Sequence, residues 1–133
     1  MKNVMKLLHT ILGSIVILVF YFIACSPEDN ETSVRIRLKN SSTYTMTDIL
    51  VNTSGGQQFY GDLEPNQKSV YKIFEFAYSY AFVELKIYNR TYTLQPIDYV
   101  GETVLQDGNY TYEIYANESG NQYDKLSIKL IQD

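Results

Sequence analysis

From Ser33 onward, apolar residues recur at every second position in short runs, and no other property constrains the fold of this chain as much. Val34, Ile36 and Leu38 alternate with Arg35, Arg37 and Lys39. Successive side chains of a strand point to opposite sides, so this spacing predicts a half-buried strand with one dry and one charged face. Cationic side chains along such a strand are read as protection against edge-to-edge pairing. No sustained helical spacing occurs beyond residue 25, so the rest of the chain is expected to fold as strands and turns.

Tyr44 and Met46 share one parity while Ile49 and Val51 share the other, which a bulge near Thr47-Asp48 reconciles. Asn52 to Gly56 reads as a turn, Phe59 to Leu63 as a short strand, and Glu64-Pro65-Asn66-Gln67 as a turn in which proline presets φ. Ser69 to Phe74 resumes extended structure. Phe74, Phe76, Tyr78, Tyr80 and Phe82 then follow at every second position. A helix competes here, because Phe74, Tyr78, Ala81, Phe82 and Leu85 also fall at helical spacing. From Ser79 the aromatic and β-branched content favours strand. Asn89-Arg90 is the expected two-residue hairpin turn, with Thr91 to Gln95 returning. Pro96 to Glu102 is expected to be irregular and Val104-Leu105 to pair briefly. Two final strands carry Tyr110, Tyr112 and Ile114, then Leu126, Ile128 and Leu130. About eight short strands at this spacing predict one all-β domain over residues 33–133, an antiparallel β-sandwich of Ig-like, Greek-key type.

Ahead of this domain, Lys2 and Lys6 precede an apolar segment that ends in Phe22-Ile23-Ala24-Cys25. Two bases, an apolar core and a small residue before the cut have the layout of a secretory signal peptide over residues 1–24. The ending resembles the lipobox of bacterial lipoproteins, with Phe22 where leucine is usual. That resemblance implies that Cys25 is lipidated and becomes the mature N-terminus. The alternative is an uncleaved anchor, since Leu7 to Pro27 is long enough to span a bilayer. Ser26-Pro27-Glu28-Asp29-Asn30-Glu31 makes residues 25–32 an acidic tether. It resembles the acidic signal of surface-exposed lipoproteins of the Bacteroidota, which implies an outer-membrane, lipid-anchored, cell-surface location. Asn52 to Gly56, Tyr60 to Leu63, Asp98 to Glu102 and Gly108 to Tyr112 resemble blocks in small uncharacterised lipoproteins of that phylum. This likeness implies a compact sandwich and supplies no function.

Composition then excludes whole classes of chemistry. His9 and Cys25 are the only histidine and cysteine; the first leaves with the signal peptide and the second is consumed by lipid. Nucleophile–histidine catalysis, His- or Cys-ligated zinc and disulfides are thereby ruled out, and the domain is expected to be no enzyme and to hold no metal or cofactor. Asp98 and Glu102, across Tyr99-Val100-Gly101, could in principle form a glycosidase pair or a calcium loop; the regular ligand spacing of a calcium hand is missing, and a turn with solvated acids is the default reading. Without residues 1–24, nine of the 11 bases remain against 15 acids, a formal charge of −6, which gives nucleic acid no electrostatic footprint. Asn-x-Ser/Thr triplets begin at Asn30, Asn40, Asn52, Asn89, Asn109 and Asn117.

Twelve of the 13 tyrosines lie beyond the leader, and there is no tryptophan. If Ala81, Val83, Leu85 and Ile87 face the core, the opposite side of the same strand carries Tyr80, Phe82 and Tyr88, with Glu84 and Lys86 interleaved. Tyr78, Tyr80, Phe82 and Tyr88 are therefore the candidate binding surface for a glycan or peptide. The competing reading packs these rings under loops or a second sheet. A second functional class, a structural or accessory subunit of an envelope protein complex, stands beside the binding module.

Overall fold

The computed structural model describes residues 33–133; the signal peptide at 1–24, Cys25, the acidic tether at 25–32 and the Asn30 triplet lie outside the described residues. The domain is all-β. Strands β1 (Val34–Asn40), β4 (Lys72–Phe74), β7 (Gly108–Ala116) and β8 (Leu126–Gln132) form one sheet in the order β4-β1-β7-β8. Strands β2 (Met46–Asn52), β3 (Gln57–Leu63), β5 (Phe82–Ile87) and β6 (Arg90–Leu94) form the other in the order β3-β2-β5-β6. Only the hairpins β2-β3, β5-β6 and β7-β8 stay within a sheet; the other connections cross between sheets. One ladder is parallel: β1 runs alongside β7 from Val34↔Gly108 to Asn40↔Ile114. Parallel neighbours require a long crossover, and here the whole second sheet lies between them in sequence.

The alternation read from the sequence is what builds the core. Val34, Ile36, Leu38, Tyr110, Tyr112 and Ile114 from one sheet meet Met46, Ile49, Val51, Val83, Leu85 and Ile87 from the other, all of them buried in one cluster. The parity switch in β2 is a bulge. Asp48 adopts φ 54° and the register shifts between Met46 and Leu50. Opposite it, Gly61 at φ 74° makes the matching departure on β3.

Several expectations are corrected. The hairpin turn is Tyr88-Asn89, at φ 51° and 61°, one residue earlier than expected, with Ile87 paired to Arg90. A two-residue turn needs positive φ at both positions, and this register puts Asn89 in one of them and leaves Arg90 extended. β1 is an interior strand, so its bases do not guard an edge. Arg37 and Lys39 instead pair across strands with Asp133 and Glu113, at 2.9 and 2.6 Å. Val104-Leu105 forms no ladder; Leu105 N donates one bond to the Ala77 carbonyl. Residues 75–81 are neither helix nor strand. The Phe76, Ala77 and Tyr78 carbonyls accept from Thr53 Oγ1, Leu105 N and Tyr112 Oη, which holds them away from helical bonding.

The Asn-x-Ser triplets have a local cause. Asn40, Asn52 and Asn117 each accept, through Oδ1, the N–H of the serine two residues on, the Asx turn that lets asparagine close a bend. Asn40 is buried and also donates to the Tyr44 and Leu63 carbonyls.

Candidate functional site

Two segments meet at one end of the sandwich: residues 75–81, which pass from β4 to β5, and residues 95–105, which follow β6. Tyr99 of the second segment stacks on Tyr78 at 4.6 Å between ring centroids and on Tyr80 at 5.5 Å, with interplanar angles of 24° and 13°. Phe76 meets Tyr78 edge-on at 6.1 Å. Tyr80 Oη donates to the Asp98 carbonyl at 2.9 Å, Asp98 Oδ1 accepts from Val100 N, and Glu102 N donates to the Tyr99 carbonyl. Burial, with the nearby Glu102 and Asp98 carboxylates, holds the Tyr80 phenol above its usual range, and burial does the same for Tyr99. Both therefore act as neutral hydroxyl-bearing rings at neutral pH.

Beside this stack a cleft of about 510 Å³ opens between Tyr80, Leu94, Pro96, Ile97, Asp98 and Ile128. Its volume falls within the roughly 300–1,000 Å³ usual for ligand sites. The cleft exists because the two seams of the sandwich close differently. Across the β3/β4 seam, Gln58 Nε2 donates to the Ile73 carbonyl, Tyr60 Oη donates to the Ile36 carbonyl, and Lys72 lies over the Tyr60 ring. The β6/β8 seam is bridged towards the 117–125 loop, where Thr93 N donates to the Gln122 carbonyl. Towards the tyrosine stack, Leu94 and Ile128 are only half-buried.

The four aromatic residues expected to share one face are not all together. Tyr78 and Tyr80 join the stack. Phe82 opens β5 on the outer face of its sheet, paired with Asn52 in a ladder whose neighbouring outer residues are Leu50 and Phe59; Phe59 is 55% exposed. Tyr88 stands at the opposite end of the sandwich, on the β5-β6 turn, 88% exposed and edge-on to Tyr44 at 6.0 Å. Ala81, Val83, Leu85 and Ile87 all face the core, as their shared parity predicts. Tyr88 leaves the opposite face because the turn begins there. Tyr99, Leu94, Ile97 and Ile128 escaped the sequence reading. Ile97 carried a signal, an aliphatic residue in a polar loop, and it is 100% exposed.

Among the described residues no group of three or more His, Cys, Asp or Glu side chains is placed to hold a metal ion. Asp98 spends one carboxylate oxygen on its own loop. What the arrangement offers is an apolar floor, stacked rings and a few hydroxyl and carbonyl groups at the rim. No family model matches the chain, and no curated protein matches it. Among solved structures, the chain is similar to a protein from Eubacterium rectale determined by NMR, at 16% identity and a TM-score of 0.50, over 80% of this chain and 94% of that one. That likeness speaks for the fold alone.

Proposed function

We propose that this chain is a lipoprotein anchored in the outer membrane through Cys25 and displayed at the cell surface. Its β-sandwich is a non-catalytic module that binds a glycan or peptide ligand. The observation that carries the reading is the open cleft between Tyr80, Leu94, Ile97 and Ile128, flanked by the Tyr78/Tyr99/Tyr80 stack. A monomer rarely leaves contiguous apolar surface wet without use for it, and aromatic anchors commonly dominate binding energy. The non-catalytic part rests on the loss of His9 with the leader and of the Cys25 thiol to lipid. Full-length protein in detergent, probed on glycan and peptide arrays, should give a ligand that Tyr80→Ala or Ile97→Ser weakens and Tyr88→Ala does not. Equal loss in all three variants would sink the cleft as the site. Mass spectrometry tests the anchor: an intact N-terminus with an unmodified Cys25 would replace lipidation by the transmembrane alternative.

One observation favours a second reading, an accessory subunit of an envelope complex. The 95–105 loop turns Ile97 and Val100 outward, 100% and 88% exposed, as a docking knob would. Crosslinking in intact cells from position 100, abolished by Val100→Asp with ligand binding retained, would support that role.

A further inference from the structure

Taking the cleft as the binding site, we infer that its occupant is an extended peptide that adds a strand to β8 and lowers an apolar side chain between Ile128 and Leu94. β8 ends its sheet and pairs with β7 in unbroken register from Ala116↔Leu126 to Tyr110↔Gln132. Among the described residues nothing else bonds to the backbone of Leu126–Gln132. The other edges are each interrupted: the Gln58 side chain takes the Ile73 carbonyl of β4, the Gln122 carbonyl takes the Thr93 N–H of β6, and β3 is broken by the irregularity at Gly61. A long edge strand without a bulge is the template that natural sheets otherwise blunt, and strand addition to such an edge is a recurrent way of reading peptides.

The side chains define the guest. Ile128 and Leu130 share core parity with the buried Leu126, yet both are only half-buried, because no strand lies beyond them. A strand placed one spacing further, about 4.8 Å away, covers both and reaches the cleft. Lys129, between them, faces the outer side. It has no salt-bridge partner among the described residues, since the carboxylate of its cross-strand neighbour Glu113 is taken by Lys39 and Tyr115. The complementary peptide therefore reads apolar–acidic–apolar. A second copy of this chain docking β8 on β8 in the register centred on Lys129 sets that residue against its own counterpart, and like charges directly opposite are destabilising. A glycan has no amide ladder to offer the open edge.

The test uses full-length protein in detergent, with arrays of short alternating peptides and of glycans. An apolar–acidic–apolar peptide should bind, and N-methylation of its amides should abolish binding in one alternate register and spare the other. Lys129→Glu should reverse the preference at the central position from acidic to basic, by about threefold or more in affinity. Ile97→Ser, a fully exposed position that cannot threaten folding, should weaken the same peptide. Peptide binding indifferent to N-methylation overturns strand addition and leaves the cleft as the site. A glycan bound in place of any peptide, and weakened by Ile97→Ser, overturns the peptide and again leaves the cleft. Failure of both arrays removes the cleft reading as well.

Discussion

The ammonium group of Lys125 stands 4.6 Å from the ring centroid of Tyr44 and 5.2 Å from that of Tyr92. It donates to the carbonyls of Asn117 and Ser119 at 2.7 and 3.3 Å. Lys125 is buried, and no carboxylate pairs with it among the described residues. The charge is held by ring faces and backbone dipoles, and in return it ties the 117–125 loop to the sandwich. Lys125→Met keeps the aliphatic stem but leaves two carbonyls without a donor, which costs about 1–3 kcal/mol. Urea unfolding should show that loss. An unchanged midpoint would mean that shedding the buried charge offsets the lost bonds.

Lys125 also marks the limit of what the sequence discloses. The β-sandwich, the bulge at Asp48 and the buried set along β5 follow from period-two spacing and from where the parity slips, both local properties of the chain. Partners in space are not local. Lys125 reads as one more base in a polar loop, and nothing near it in sequence announces Tyr44 or Tyr92. The cleft is invisible for the same reason, because Leu94 and Ile128 are ordinary core-parity residues until β6 and β8 are known to border an incompletely closed seam. Tyr78 and Tyr80 lie in a segment that is not a strand, so what joins them is a partner distant in sequence rather than shared parity. That partner is Tyr99, which stacks on both.

The abundance of tyrosine has a structural use in this fold: phenols reach backbone carbonyls from under loops. Tyr112, wholly buried, donates to the Tyr78 carbonyl at 2.6 Å, and Tyr110 donates to that of Gln106 at 2.9 Å. Burial pushes the Tyr112 phenol far up, so it is a neutral donor at neutral pH. Tyr112→Phe should cost about 1 kcal/mol, the net worth of one such bond. Because the freed carbonyl belongs to Tyr78, the same variant should also loosen the stack, seen as faster amide exchange over residues 76–80.

Tyr88 occupies left-handed backbone at φ 51°, a conformation that costs a residue with a Cβ roughly 1–2 kcal/mol and that asparagine tolerates better. Against this stands its edge-on contact with Tyr44, worth about 0.5–1.5 kcal/mol and at the low end for a ring so exposed. The strain outweighs the contact. Tyr88→Asn should raise stability by up to about 1 kcal/mol in thermal unfolding, and a lowered midpoint would show that the ring contact wins.

Glu113 accepts hydrogen bonds from Lys39 and Tyr115 at 2.6 Å each, and these bonds, the Lys39 one first, hold its carboxyl below the usual range. A carboxylate whose pKa is lower in the folded state adds stability above its unfolded pKa, and that contribution fades as pH falls through the folded value. The partner works in reverse. The Lys39 pKa is raised, chiefly by the same bond, so its contribution is present below the unfolded value and is lost as pH climbs through the folded one. Glu113→Gln should flatten the acid side of the stability–pH curve below about pH 4.5. A wild-type curve with equal slope there would remove the pair from the account.

The tightest backbone approach near the candidate site is that of Gly55 to Phe76. A Cβ on residue 55 would fall inside the contact radius of the Phe76 carbonyl oxygen and within 2.5 and 2.7 Å of its nitrogen and carbon. Backbone cannot swing aside as a side chain does, and this stretch is held further by Glu75 N donating to the Gly55 carbonyl and Thr53 Oγ1 to that of Phe76. Gly61→Ala supplies the comparison. Its Cβ would meet nothing within 4 Å, and only φ 74° opposes it, for a cost of about 1–2 kcal/mol. Gly55→Ala should cost about 3 kcal/mol or more, the upper range of overpacking. The two should also differ in kind. The strain of Gly61→Ala stays within the β2-β3 hairpin, whereas Gly55→Ala must push Phe76, and with it Ala77 and Tyr78, away from the sheet. Loss of the Tyr78/Tyr99 stack in Gly55→Ala but not in Gly61→Ala, followed by aromatic NMR shifts, is the expected result. Equal disturbance in both would show that the β2-β3 turn does not position the stack.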